Sequence, residues 1–156
     1  MVHQVKLRER DAVLIVSKRL PVTLSGIGDV LGRALGEVYR QLGATGAEAD
    51  GPPFVIYHGH PVSDEPFDID ICAPVSRVID PPGGWQIQEL PAGSFVSLLH
   101  VGPYETLGVA YDTLAEWVRA HELVMAGPPR EVYLSEPGTP PEEVNTVVEF
   151  PVIRAQ

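Results

Sequence analysis

Residues 51–61 read GPPFVIYHGHP and residues 127–137 read GPPREVYLSEP. At a constant offset of 76 residues, Gly51, Pro52, Pro53, Tyr57 and Pro61 meet identical partners in Gly127, Pro128, Pro129, Tyr133 and Pro137, five matches in eleven positions. A repeat of this kind decides the architecture before any single element is assigned, because each copy must fold in the same way. Outward from these segments the match continues: the strand-like run at 12–16 answers the run at 93–98, Leu42 answers Leu123 at an offset of 81, and Ala73-Pro74-Val75 answers Phe150-Pro151-Val152 at 77. The first copy therefore carries about five extra residues, within 43–50, between its helix and its Gly-Pro-Pro.

Each copy shows the same order of elements. Ile27, Val30, Leu31, Ala34, Leu35, Val38 and Leu42 recur at three- and four-residue steps, as an amphipathic helix requires, with Ser25 as its expected N-cap and Gly43 as its stop. In the second copy Leu107, Ala110, Tyr111, Leu114, Trp117 and Val118 repeat the pattern, which ends near Leu123. One strand precedes each helix and two follow, at 54–57 with 67–72 and at 131–134 with 144–150. A lone three-stranded sheet with one helix buries too little apolar surface to stand alone. The expectation is therefore an α+β fold: a tandem strand-helix-strand-strand repeat about a pseudo-twofold axis. It has an antiparallel sheet of about six to eight strands, two long helices on one side and a central ligand cleft. Residues 1–156 form a single domain, with repeat one at about 5–78 and repeat two at about 85–154.

The chain's 156 residues suit one domain, and its 44% hydrophobic and 21% charged residues are those of a folded globular protein. The net charge of −10 is unevenly spread: residues 1–78 hold eight cations and ten acids, residues 79–156 three cations and eleven acids. A surface of that sign repels phosphate backbones, so direct nucleic-acid binding is not expected, while cationic small molecules or a basic protein surface are. Cys72 is the only cysteine, which excludes an intramolecular disulfide and cysteine-cluster zinc sites and suits a reducing compartment. The N-terminus is charged, and the longest aliphatic run spans only 12–16, so no signal peptide or membrane span is expected and the protein is read as cytoplasmic.

The repeat supplies an internal control. Glu131 stands opposite Val55, and Arg130 opposite Phe54, while the flanking tyrosines are kept. Alternate residues of a strand share a face, so Glu131 lies with Tyr133 on a face that is otherwise aromatic and aliphatic. A solvated strand carboxylate is the ordinary reading. The alternative is a partly buried carboxylate that favours a planar cation through charge and cation–π contact with tyrosines. Tyr104, in the Gly-Pro-Tyr between strand and helix, can turn its ring into the cleft. Tyr111 and Trp117 fit helix packing, and Trp85 opens the second copy. His58 and His60 flank a glycine and lack a nearby third ligand, so they read as an exposed loop rather than a metal site, and Asp68 and Asp70 read as a solvated strand face. No cofactor is expected.

The segments HVGPYETLGVAYDTLAEWV at 100–118, GPPREVYLSEP at 127–137 and VVEFPV at 147–152, with GPPFVIYHG and DIDICAPV in the first half, resemble the gyrase-inhibitor-like small-molecule-binding family. That family includes effector-binding domains of AraC-type and MerR-type multidrug regulators. The resemblance spans about residues 5–153 and implies the same tandem fold. It implies that Glu131 is the pocket glutamate that neutralises cationic aromatic ligands. In members that hydrolyse cyclopropane-bearing genotoxins the preceding residue is often Trp, where this chain has Arg130. Regulators of the family carry a helix-turn-helix module, for which about ten residues before the first strand leave no room, so a stand-alone member is expected.

The sequence thus points to a binder of amphipathic, cationic aromatic compounds, with Glu131, Tyr57, Tyr104, Tyr133, Val55 and Tyr111 as ligand contacts. Two alternatives stand beside it. One is a hydrolase of strained-ring compounds with Glu131 as general base and Tyr133 assisting; the other is an acidic inhibitor of a protein partner such as DNA gyrase. The charge balance yields a first prediction: duplex DNA mixed with this chain at low ionic strength migrates unshifted on a native gel, and a shifted band refutes the exclusion of phosphate backbones.

Overall fold

In a computed structural model the chain is described at residues 4–46, 49–59, 65–136 and 138–156. Among these residues nine strands and two α-helices follow one another: β1 (Lys6–Arg10), β2 (Val13–Val22), α1 (Ile27–Ala44), β3 (Phe54–Tyr57), β4 (Phe67–Pro74), β5 (Gln86–Leu90), β6 (Gly93–Val101), α2 (Leu107–Ala120), β7 (Leu123–Met125), β8 (Arg130–Tyr133) and β9 (Asn145–Arg154). Among the described residues the strand pairings within each unit are antiparallel, as the α+β expectation requires, but nine strands exceed the six to eight inferred from the repeat. The excess arises from β1, β5 and β7, short segments whose pairing is non-local and leaves little mark on hydrophobic periodicity.

The chain forms two compact units, residues 12–91 and residues 1–11 with 92–156. In the first, strands run β5-β2-β4-β3, and in the second β1-β6-β9-β8 with β7 also on β9. The strand-helix-strand-strand order recurs in both. The boundaries differ from the repeat: β5 and Trp85 belong with the first copy's strands, pairing β2, whereas β1 pairs β6 of the second. Each edge strand precedes the leading strand of the other unit's sequence by two residues.

Helix α1 buries Ala34, Val38 and Leu42 and packs on β4. An ion pair between Lys18 and Glu37 at 3.6 Å marks the β2 face that α1 covers; register carries that face across Ile71 to Val55. The helix is capped by Gly26 without a side-chain hydrogen bond, and it runs through Gly43 to Ala44, so neither Ser25 nor Gly43 acts as expected. The Gly26 amide donates instead to the carbonyl and the hydroxyl oxygen of Thr23, each at 3.2 Å. The second helix ends at Ala120, and Leu123 opens β7 rather than closing the helix.

In the unit of residues 1–11 and 92–156, α2 lays Leu107, Ala110, Leu114 and Val118 on Val96, Leu98, Val148, Phe150 and Val152. Those strand residues alternate, and the positions between them face the opposite side of the sheet. There Arg10 grips both carboxylate oxygens of Glu149, one at 2.8 Å, and Arg10 and Arg130 place their guanidinium carbons 5.2 and 4.7 Å from the Phe95 ring centre. Glu149 is 2% exposed, so this pair neutralises a charge that burial alone would penalise by several kcal/mol on the order of magnitude typical for ions.

The other unit holds a comparable cluster. Arg19 donates to Asp70 at 2.8 and 3.2 Å, and His58 Nε2 lies 2.7 Å from the same carboxylate. Asp70 is buried, which corrects the reading of Asp68 and Asp70 as a solvated face; only Asp68 is exposed. Burial acts to raise the Asp70 carboxyl, but hydrogen bonds and charge from Arg19 and His58 outweigh it and hold the carboxyl below the usual carboxylate range. His60, read with His58 as an exposed loop, lies outside the described residues, as do Pro61 and Pro137 of the repeat.

Two predictions follow from this packing. Leu114→Ala, at a fully buried site, lowers the unfolding free energy in urea by about 2–5 kcal/mol; a loss under about 1 kcal/mol contradicts the packing described. Because Asp70 has a depressed folded pKa, its stabilisation is present above its unfolded value and disappears as pH falls through the folded one. Asp70→Asn therefore flattens the acid limb of a pH–stability curve; an unchanged acid limb removes the role of the cluster.

Candidate functional site

Glu131 sits on β8 opposite Val148 of β9, so the pleat aims it at the side that α2 covers. It is 7% exposed. Two phenols converge on it. Tyr111, from the middle of α2, donates to Oε2 at 2.5 Å, and Tyr133, two residues along β8, donates to Oε1 at 3.0 Å. The carboxylate is therefore fixed by a helix and by its own strand, with one phenol on each oxygen. Charge-assisted bonds of this kind hold a carboxylate more firmly than neutral pairs do.

Tyr104 completes the aromatic group. Its ring meets that of Tyr133 edge to face, with centroids 6.1 Å apart. It is 53% exposed, the outermost of the three tyrosines, while Tyr133 is buried. Partial burial, and then the negative charge of Glu131, push the Tyr104 phenol up from its ordinary value, so it remains a neutral donor at physiological pH. The turn that presents it is held by Gly102, whose φ of 144° lies outside the range comfortable for other residues, and whose amide donates to the Val144 carbonyl at 2.9 Å. Thr106 caps the following turn by bonding the Pro103 carbonyl at 2.9 Å. On the inner side Tyr111 tilts against Phe150, centroids 5.8 Å apart, which ties the carboxylate's partner to the core.

Glu131, Tyr133, Tyr111 and Tyr104 thus meet within one unit. Val55, fully buried, and Tyr57, half-buried, stand on β3 of the other. Arg130 points to the opposite sheet face, onto Phe95 and across from Glu149, as strand alternation requires. Trp117 stacks on His121, centroids 3.7 Å apart, and Trp85 is buried beside Lys18 and Glu37. Sequence reasoning passed over Glu149, although a lone carboxylate within VVEFPV carries the same signal as Glu131: a charge on an apolar strand. The bond between Tyr111 and Glu131 was not foreseeable, since 20 residues separate a helix position from a strand position. Among the described residues no group of three or more His, Cys, Asp or Glu side chains is placed to hold a metal ion, and no helix is long and apolar enough to cross a membrane.

Similar folds exist in solved structures. The C-terminal domain of EcmrR superposes with a TM-score of 0.85 at 26% identity, covering 99% of this chain and 100% of that one. EcmrR in its DNA complex gives 0.86, again at 26% identity, over 99% of this chain and 59% of the EcmrR chain. SAV2435 bound to tetraphenylphosphonium gives 0.67 at 13% identity over 96% of this chain and 94% of that one, a likeness of fold alone. No curated protein matches the chain. The description of the GyrI-like small molecule binding domain matches residues 3–153. A match over nearly its whole length, on a fold shared with the C-terminal domain of EcmrR, establishes that this chain belongs to the GyrI-like small molecule binding domain family.

Proposed function

We propose that this protein binds amphipathic, cationic aromatic compounds, with Glu131 as the charge that receives them. The supporting observation is the carboxylate itself: 7% exposed, aimed at an aromatic group, and held from both oxygens by phenols. Burying a carboxylate among apolar and aromatic side chains is unfavourable, and a cation arriving beside it recovers part of that cost. Tyrosine rings offer the negative faces that a delocalised cation prefers. Membership of a small-molecule-binding family and the tetraphenylphosphonium bound by SAV2435 agree with a ligand of this class.

Each tyrosine has a distinct part. Tyr111 and Tyr133 hold the carboxylate in place, which spares the ligand the cost of ordering it. Tyr104, half-exposed on its turn and in contact with Tyr133, is the ring that a ligand meets first. The ligand class follows from this: one delocalised positive charge, little hydrogen-bonding capacity at that charge, and flat apolar area beside it.

Titration of a rhodamine dye followed by fluorescence tests the reading. Glu131→Gln preserves shape and removes the charge, and it is expected to weaken binding by about 1–3 kcal/mol. Equal affinity of the two proteins removes the carboxylate from the function. Tyr111→Phe, which deletes a single hydroxyl, is expected to weaken binding by about 1 kcal/mol through a less well-fixed carboxylate.

A further inference from the structure

Three cations of this acidic chain are gathered on one strand. Of eleven Lys and Arg residues, Lys6, Arg8 and Arg10 occupy alternate positions of the five-residue strand β1, every residue of which is exposed. Register places them opposite Ser97, Phe95 and Gly93, so all three share the sheet face that also carries Arg130. Arg10 is anchored by Glu149 and rests with Arg130 on Phe95. Among the described residues Lys6 and Arg8 pair with no carboxylate, and the acid on the strand, Glu9, lies on the other face, where Ser94 donates to it at 2.5 Å. Among the described residues β1 is also an edge: it pairs with β6 on one side and ends the strand order of its unit.

The remaining charge clusters are closed on themselves. Asp70 is satisfied by Arg19 and His58, and Glu37 by Lys18 and Trp85. Among the described residues only β1 joins two cations without a carboxylate partner, Lys6 and Arg8, to an unused row of backbone donors and acceptors. An edge of this kind rejects apolar or basic strands, because charge at alternate positions must be matched. It accepts an acidic one. Alternate residues of any extended strand repeat at about 6.8 Å, so carboxylates at every second position of an added strand fall opposite Lys6, Arg8 and Arg10.

We propose that the exposed edge of β1 docks an extended acidic segment of a partner protein, which adds as a strand with its carboxylates facing Lys6, Arg8 and Arg10. The backbone ladder supplies affinity and the alternating charge supplies selectivity and register. A nucleic acid fits less well, because three cations in a row sit on a chain of net charge −10, whose field opposes a long polyanion. A short acidic strand is governed instead by the charges within about 10 Å, the range left by physiological screening.

Fluorescence anisotropy of a labelled nine-residue peptide, with Glu alternating with Val and Thr, tests this at low salt. Three comparison peptides are needed: one with the same composition but grouped glutamates, and two N-methylated at alternate amides along one backbone edge or the other. The alternating peptide is expected to bind, and the grouped peptide and one of the methylated pair to bind at least about tenfold more weakly. The paired substitution Lys6→Glu with Arg8→Glu is expected to abolish binding while the far-ultraviolet circular dichroism is retained. If that variant unfolds, the methylated peptides decide the matter on the unaltered protein. Equal binding of grouped and alternating peptides, indifference to methylation on both edges, equal competition by an oligonucleotide of the same charge, or no binding at all overturns the proposal.

Discussion

Strand β9 must serve two faces at once, and much of its unit depends on how the pleat divides them. It pairs with β6 along one edge and with β8 and then β7 along the other. Val148, Phe150 and Val152 turn toward α2 and form the core there, while Glu149, between them, turns away and is met by Arg10. Because β8 is registered on β9, the same division sends Glu131 toward α2 and Arg130 away from it. A slip of one residue would exchange the two and leave an arginine among the tyrosines. The candidate site therefore rests on a register that the apolar residues of β9 enforce.

The carboxylate of Glu131 and that of Glu149 are solutions to the same physical problem on opposite faces. Glu149 is neutralised by a guanidinium and is locked, with most of its coordination taken by Arg10. Glu131 accepts a hydrogen bond from a phenol on each oxygen, and the two phenols orient it. Tyr111 also connects the site to the core, since the ring that bonds Glu131 packs on Phe150.

Much of this was legible in the chain. The two Gly-Pro-Pro segments revealed the duplicated order of elements, and helical spacing located both helices to within a few residues. Strand alternation sufficed to place Glu131 with Tyr133, because both lie on one short strand. What escaped notice depended on distant partners. Asp70, alternating with Ile69 and Ile71, looks solvated until Arg19 is brought beside it from β2. Ser25 has the chemistry of a helix cap, yet the Thr23 hydroxyl reaches the Gly26 amide instead. The edge strands were attributed to the wrong copies because only long-range pairing assigns them, and β1 carries no apolar alternation to betray its role.

The exchange of edge strands has an ancestral consequence. In a chain that arose by duplication, one repeat with its own preceding strand is not a closed folding unit: β1 precedes β2 but bonds β6, and β5 precedes β6 but bonds β2. A half-length forerunner with the same order of elements satisfies both pairings only by lending its leading strand to a second copy and borrowing one in return. In this chain one polypeptide supplies both copies, and the two exchanged ladders, β1 on β6 and β5 on β2, form within it.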